Sequence, residues 1–97
     1  MKSGDRTKYI GDDKGLQGYE VVLLSVFPGG ARDDWDPDET ELYSLTEYAE
    51  LGREVQADDV IEVQPIIKRG RRAGQQSFVR CDVDAIDLAC FAHLRKN

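Results

Sequence analysis

The most regular pattern of apolar and polar positions lies in Tyr19–Phe27, where Val21, Val22, Val26 and Phe27 suit a pleated, half-buried surface. Gly18 precedes this run and Pro28-Gly29-Gly30 stops it, so it predicts a strand with a turn signal at each end. Upstream, Asp5–Ile10 alternates, with Arg6, Lys8 and Ile10 on one face and Thr7 and Tyr9 on the other. That predicts a short strand after a frayed start at residues 1–4. Between the two strands, Gly11, Asp12, Asp13, Lys14 and Gly15 supply the backbone freedom and local hydrogen bonds that reverse a chain.

Further along, Ala31–Thr40 has no period and reads as an acidic, proline-containing loop around Trp35. Ser44-Leu45-Thr46-Glu47 fits a capping box, followed by Leu45, Tyr48 and Ala49 at helical spacing and Gly52 as a stop. A short helix over Leu45–Leu51 is expected, although Glu41–Thr46 also alternates as a strand does. Val60–Ile67 predicts a strand in which Pro65, lacking an amide proton, marks an edge or a bulge. Lys68–Gly74 then forms a hairpin loop, and Gln75–Val83 is the expected returning strand with Phe78 in the core. From Asp84 the pattern changes: Ile86, Ala89, Cys90 and Leu94 recur at helical spacing behind an aspartate that can cap. A helix over Ala85–Arg95 is expected, with a single turn and a closing strand as the alternative. The fold class is therefore mostly β with one or two short helices, the alternative being α+β with a C-terminal helix.

Ninety-seven residues support one core and so one domain, residues 1–97. The longest apolar stretch, Val21–Phe27, falls far short of the ~20 residues that span a bilayer. The N-terminus lacks the apolar centre of a signal peptide, so a cytoplasmic chain with no membrane partner is expected. Cys81 and Cys90 have no CxxC spacing and read as buried, reduced small hydrophobes in preference to a disulfide. A net charge of −6 argues against a general nucleic-acid binder. The charge is unevenly placed, however. Asp33–Glu62 is acidic and interrupted only by Arg53, whereas Lys68, Arg69, Arg71, Arg72 and Arg80 cluster together.

The opening stretch resembles the KOW motif through Gly4-Asp5, Tyr9, Gly11, Lys14-Gly15, Gly18 and Val21. In that motif a strand leads through a glycine-lysine-glycine turn to a second glycine and a valine-rich strand. The resemblance covers Gly4 to about Val26 and implies a small SH3-like β-barrel. It also implies association with RNA, ribosomes or transcription complexes, or docking within larger assemblies. Lys8 stands where the family usually has an aliphatic residue, and the acidic insertion at Asp33–Glu41 departs from the compact motif.

Candidate chemistry is sparse. Asp34, Asp36 and Asp38 stand at alternate positions like the first ligands of an EF-hand loop. The sixth position is Glu39 instead of glycine and the twelfth is Leu45, so no metal site is expected. Asp82, Asp84 and Asp87 form a second carboxylate group in which helix capping accounts for Asp84 and Asp87, and a single histidine, His93, excludes a multi-histidine centre. Ser44 and Ser77 have no evident base, and the Gly15 turn lacks a Walker ending. No enzyme and no cofactor is expected.

The sharpest local signal is Lys68-Arg69-Gly70-Arg71-Arg72, because arginine forks match carboxylates and phosphates bidentately. No aromatic is interleaved with these cations, so base stacking is absent from the linear pattern. The expected function is a non-catalytic module that docks on a protein, with Trp35, Tyr43, Tyr48, Arg69, Arg71 and Arg72 as contact residues. A lone tryptophan in an acidic loop either folds back onto the core or sits out as such a contact. The alternative function is a KOW-like RNA binder using Lys14, Lys68, Arg69, Arg71 and Arg72.

Overall fold

The computed structural model describes residues 2–34, 36, 38 and 41–95. The chain is mostly β, a five-stranded antiparallel sheet with short helices. The strands are β1 (Arg6–Lys8), β2 (Glu20–Phe27), β3 (Tyr43–Ser44), β4 (Val60–Pro65) and β5 (Cys81–Asp84). They lie in the order β1-β2-β4-β5, with β3 beside the far end of β2.

β2 organises the sheet because it is the longest strand and pairs with three others. Its register against β4 slips between Leu23 and Ser25. The extra residue of such a bulge shifts the phase of the pleat. Val21 and Leu23 thus face the core on one side of it, and Val26 on the other. Leu23 exchanges bonds with the N-terminal segment at 2.8 Å: its N–H donates to Asp5 O, and its carbonyl accepts from Gly4 N–H. Of the expected frayed start, residues 2–4 are bonded in place and residue 1 lies outside the described residues. Ser3 Oγ donates to Leu24 O at 2.7 Å and accepts the Leu45 N–H at 3.1 Å, so residues 3 and 4 join the β2 bulge to the first helix.

Helix α1 (Leu45–Glu50) begins where the capping pattern places it, with the Glu47 N–H donating to Ser44 Oγ at 3.1 Å. Gly52 N–H returns to Ala49 O and closes its end. Leu45 and Tyr48 bury one face against Val21, Leu23, Val26, Ile61 and Val63. Burial of each such apolar side chain contributes about 1.5–3 kcal/mol.

Four expectations need correction. β4 is not an edge, since it lies between β2 and β5; Pro65 ends it, where the β5 ladder has already stopped at Val63↔Cys81. The returning strand is only Cys81–Asp84, preceded by one bridge at Ile66↔Gln76. Phe78 is therefore not in the core but 82% exposed. Finally, Ala85–Arg95 is not a continuous α-helix. Two 3-10 helices, Ala85–Asp87 and Ala89–Leu94, are separated by Leu88, which forms an antiparallel bridge with Tyr9. Asp84 stands at the first N-cap without a side-chain capping bond. At the break Leu88 is extended, φ −107° and ψ 134°, which lets it bridge Tyr9 while its side chain and that of Phe91 join the core.

Among the described residues, Asp59 is the one buried charged residue, 2% exposed. Its two carboxylate oxygens accept the Gly29 and Gln56 N–H groups, each at 2.8 Å, and tie the β2 exit turn to the β4 entry turn. Buried carboxylates need such partners.

Candidate functional site

A cleft of about 590 Å³ opens at the Glu20/Pro65 end of the β2–β4 pair, between the 13–19 turn and the 65–81 segment. The first wall is built by Asp13. Its Oδ1 accepts the Gly15 N–H at 2.9 Å, its carbonyl accepts the Leu16 and Gln17 N–H groups at 3.0 Å, and its own N–H donates to Tyr9 Oη. These bonds hold a compact loop that turns Leu16 into the core. Gly18 then takes φ +80°, a left-handed conformation that favours glycine. A Cβ at Gly18 would lie 3.1 Å from Lys68 Nζ. The glycine lets Lys68 cross to Tyr19, where Nζ stands 4.0 Å from the ring centroid. That is within cation–π range.

The second wall is the hairpin that follows β4. Ile67 closes it, its carbonyl accepting the Gly74 N–H at 2.7 Å and its N–H donating to Gln75 O at 2.9 Å, with Gly70 and Gly74 at positive φ. Ser77 N–H donates to Pro65 O at 2.8 Å, and Val79 N–H donates to Ser77 Oγ. Residues 77–80 are thereby held out of the ladder, which leaves Phe78 and Val79 (63% exposed) at the surface. The Arg72 guanidinium lies 4.2 Å from the Phe78 centroid. The fold thus supplies the aromatic neighbours that the linear basic run lacks.

The cleft is lined by apolar Leu16, Pro65, Ile66 and Val79, with Lys68 and Arg69 also lining it. Lys14, exposed, stands between two residues of its wall, Asp13 and Gly15. The ion pairs among the described residues are Arg6–Glu20, Arg32–Asp34, Arg80–Glu62 and Arg95–Asp87. None involves Lys68, Arg69 or Arg71, which therefore present their charge to solvent. Cys81 also lines the cleft, and burial, followed by Asp13 and Asp82, raises its thiol above the ordinary range. It is a protonated wall residue at neutral pH.

The expected contact residues do not form one surface. Tyr43 pairs with Val26, and Tyr48 follows on α1, at the end of β2 opposite the basic hairpin. Their rings are 5.6 Å apart and Arg53 lies over both, 5.6 Å from Tyr43 and 5.0 Å from Tyr48. Tyr43 hydrogen-bonds Glu41, which with partial burial raises its phenol despite the opposing Arg53. Tyr48 is 4% exposed and belongs to the core, and it also lines a cleft beside α1. Trp35 lies outside the described residues.

Beside these tyrosines a second cleft, about 570 Å³, runs between α1 and the second 3-10 helix and is lined by Arg53, Val55, Phe91 and Leu94. Among the described residues, no group of three or more His, Cys, Asp or Glu is placed to hold a metal ion, and no helix is long and apolar enough to cross a membrane.

Tyr19, Phe78 and Val79 are site residues that the linear reading passed over. Pro65 is the one sequence signal for the exposure of Phe78 and Val79. It has no N–H to donate, and the pairing is interrupted there, between the Val63↔Cys81 pair and the Ile66↔Gln76 bridge.

Comparison with family models, curated proteins and solved structures gives no match to this chain.

Proposed function

We propose that this chain is a non-catalytic docking module whose receiving face is the cleft between the 13–19 turn and the 65–81 segment. The observation that carries the reading is the exposure of Phe78 and Val79 beside an apolar-floored cleft whose Lys68 and Arg69 lack carboxylate partners among the described residues. Exposed aromatics flanked by arginine are the residue types that dominate binding energy at interfaces. Apolar contact with the floor supplies affinity, while Lys68, Arg69 and Arg71 select acidic side chains and speed their approach.

The test is selection of binders from a displayed library of twelve-residue peptides, followed by measurement against a Phe78→Ser/Val79→Ser variant. Enrichment of peptides combining carboxylates with an apolar anchor, and loss of their binding in the variant, is the expected result. Failure to enrich any peptide, or equal binding to the variant, overturns it.

A second reading, RNA association of the KOW type, is supported by the pairing of Lys68 with Tyr19 and Arg72 with Phe78. Rings beside cations are what single-strand binders use. It predicts RNA binding that falls steeply with salt and with Arg69, Arg71 and Arg72 changed to alanine. Absence of binding at low salt removes it.

A further inference from the structure

The two strongly charged segments leave opposite ends of the same strand pair. Residues 28–41 follow Phe27 and return at Tyr43, which pairs with Val26; residues 66–80 follow Pro65, which pairs with Val21. The first segment holds six carboxylates and one arginine, a net −5. The second holds five cations and no carboxylate, a net +5. The eight residues of β2 separate their attachment points by roughly 23 Å at the usual strand rise. Exposed charges that far apart are screened at physiological salt, where the Debye length is about 8 Å. The bases of the two poles are therefore screened from each other; Arg80 pairs with Glu62, but Lys68, Arg69 and Arg71 have no carboxylate partner among the described residues.

The acidic segment has the chemistry that the cleft accepts. Asp33-Asp34-Trp35-Asp36-Pro37-Asp38 joins carboxylates to a large apolar side chain. Pro37 restricts its backbone, which lowers the entropic cost of being held by a partner.

We infer that the occupant of the basic cleft is the acidic segment, residues 31–42, of a second copy of this chain. The contact is heterologous: the acidic pole of one molecule meets the basic pole of the next. It either closes into a pair that exchanges segments reciprocally or propagates head to tail. The inference rests on the docking reading of the cleft. It adds that this chain carries its own ligand, so that association follows concentration and ionic strength.

Two surface variants separate the poles. Arg69→Glu/Arg71→Glu disables the cleft and keeps the segment; Asp33→Lys/Asp34→Lys disables the segment and keeps the cleft. All four positions are exposed, and circular dichroism confirms that both variants fold. Sedimentation equilibrium at 20 and 300 mM salt reads the association. Wild type is expected to rise above the monomer mass with concentration at low salt, with the association constant falling about tenfold at high salt. Each variant alone is expected to remain monomeric, while their equimolar mixture regains association.

A synthetic peptide of residues 31–42 is expected to bind wild type and the Asp33→Lys/Asp34→Lys variant, and to bind Arg69→Glu/Arg71→Glu at least tenfold more weakly. Wild type that is monomeric at low salt, association indifferent to salt, or a mixture that stays monomeric overturns the inference. A library-selected acidic peptide that binds where peptide 31–42 does not leaves the docking cleft standing and removes only self-association. If neither peptide binds, both fall.

Discussion

Replacing Asp59 with alanine is expected to be among the most damaging single changes on the polar side of this fold. The carboxylate is 2% exposed and accepts two backbone N–H groups, from Gly29 in a buried bond and from Gln56 in a partly buried one, both at 2.8 Å. Alanine leaves both donors without that acceptor. An orphaned buried donor costs about 1–3 kcal/mol, and the partly wet Gln56 amide sits at the low end. Removing the buried charge itself recovers part of its desolvation cost. The net loss is about 2–4 kcal/mol, a large share of the roughly 5–15 kcal/mol that stabilises a domain of this size. With a urea m-value of about 1–3 kcal/mol/M, the unfolding midpoint falls by about 0.7–4 M. Asp59→Asn keeps one acceptor oxygen and points a donor at the other N–H, so it is expected to lose about half as much. Urea denaturation followed by circular dichroism measures all three proteins. A loss below about 0.5 kcal/mol for Asp59→Ala, the level of an indifferent surface change, would refute the view that this carboxylate joins the two turns.

Leu88→Ala, at a fully buried position between the two 3-10 helices, is expected to cost about 3–5 kcal/mol in the same assay. Phe78→Ser is expected to change stability by less than about 0.5 kcal/mol, because the ring is exposed; a larger loss would return Phe78 to the core. Burial, then Asp84 and Asp12, raises the Asp87 carboxyl above its usual range while Arg95 opposes them. A raised folded value means that the folded state holds the proton longer. Stability relative to Asp87→Asn should therefore fall as pH rises from the ordinary carboxylate range through that raised value, and stay lower above it. Urea midpoints of the two proteins from pH 3 to 7 check the sign. Burial raises the thiols of Cys81 and Cys90, so alkylation by iodoacetamide at pH 7.5 is expected to be slower than in the urea-unfolded chain.

Where structure depends on neighbours in the chain, the residues announce it. Ser44, Glu47 and Gly52 bound α1 because capping is decided within one turn, and the two glycines of Lys68–Gly74 close a hairpin within seven residues. Tertiary choices were not legible. The bulge after Leu23 answers to pairing with β4, and the nearly continuous apolar run over Tyr19–Phe27 carries no phase change that would reveal it. Asp59 reads as one acid among many until the fold brings Gly29 to it across 30 positions. The spacing of Ile86, Ala89, Cys90 and Leu94 suits a helix, yet burying Leu88 and bridging it to Tyr9 favours two short 3-10 segments. At the cleft, the basic run was evident but its rings were not. Tyr19 lies far off in sequence, and Phe78 was assigned to a strand whose pairing is interrupted at Pro65.

The bridge between Tyr9 and Leu88, with the Cys90 N–H bonded to Thr7 Oγ1 across 83 positions, sets an order on events at the ribosome. A nascent chain that has reached Asp84 already contains every strand. It lacks Leu88 and Phe91, which complete the core, and β1 has only β2 beside it. Synthesis must release residues 85–94 before the first strand gains its second neighbour, so final folding waits until they have cleared the exit tunnel. Until then an apolar face and an open strand edge are held apart from other chains only by the ribosome and whatever chaperones attend it.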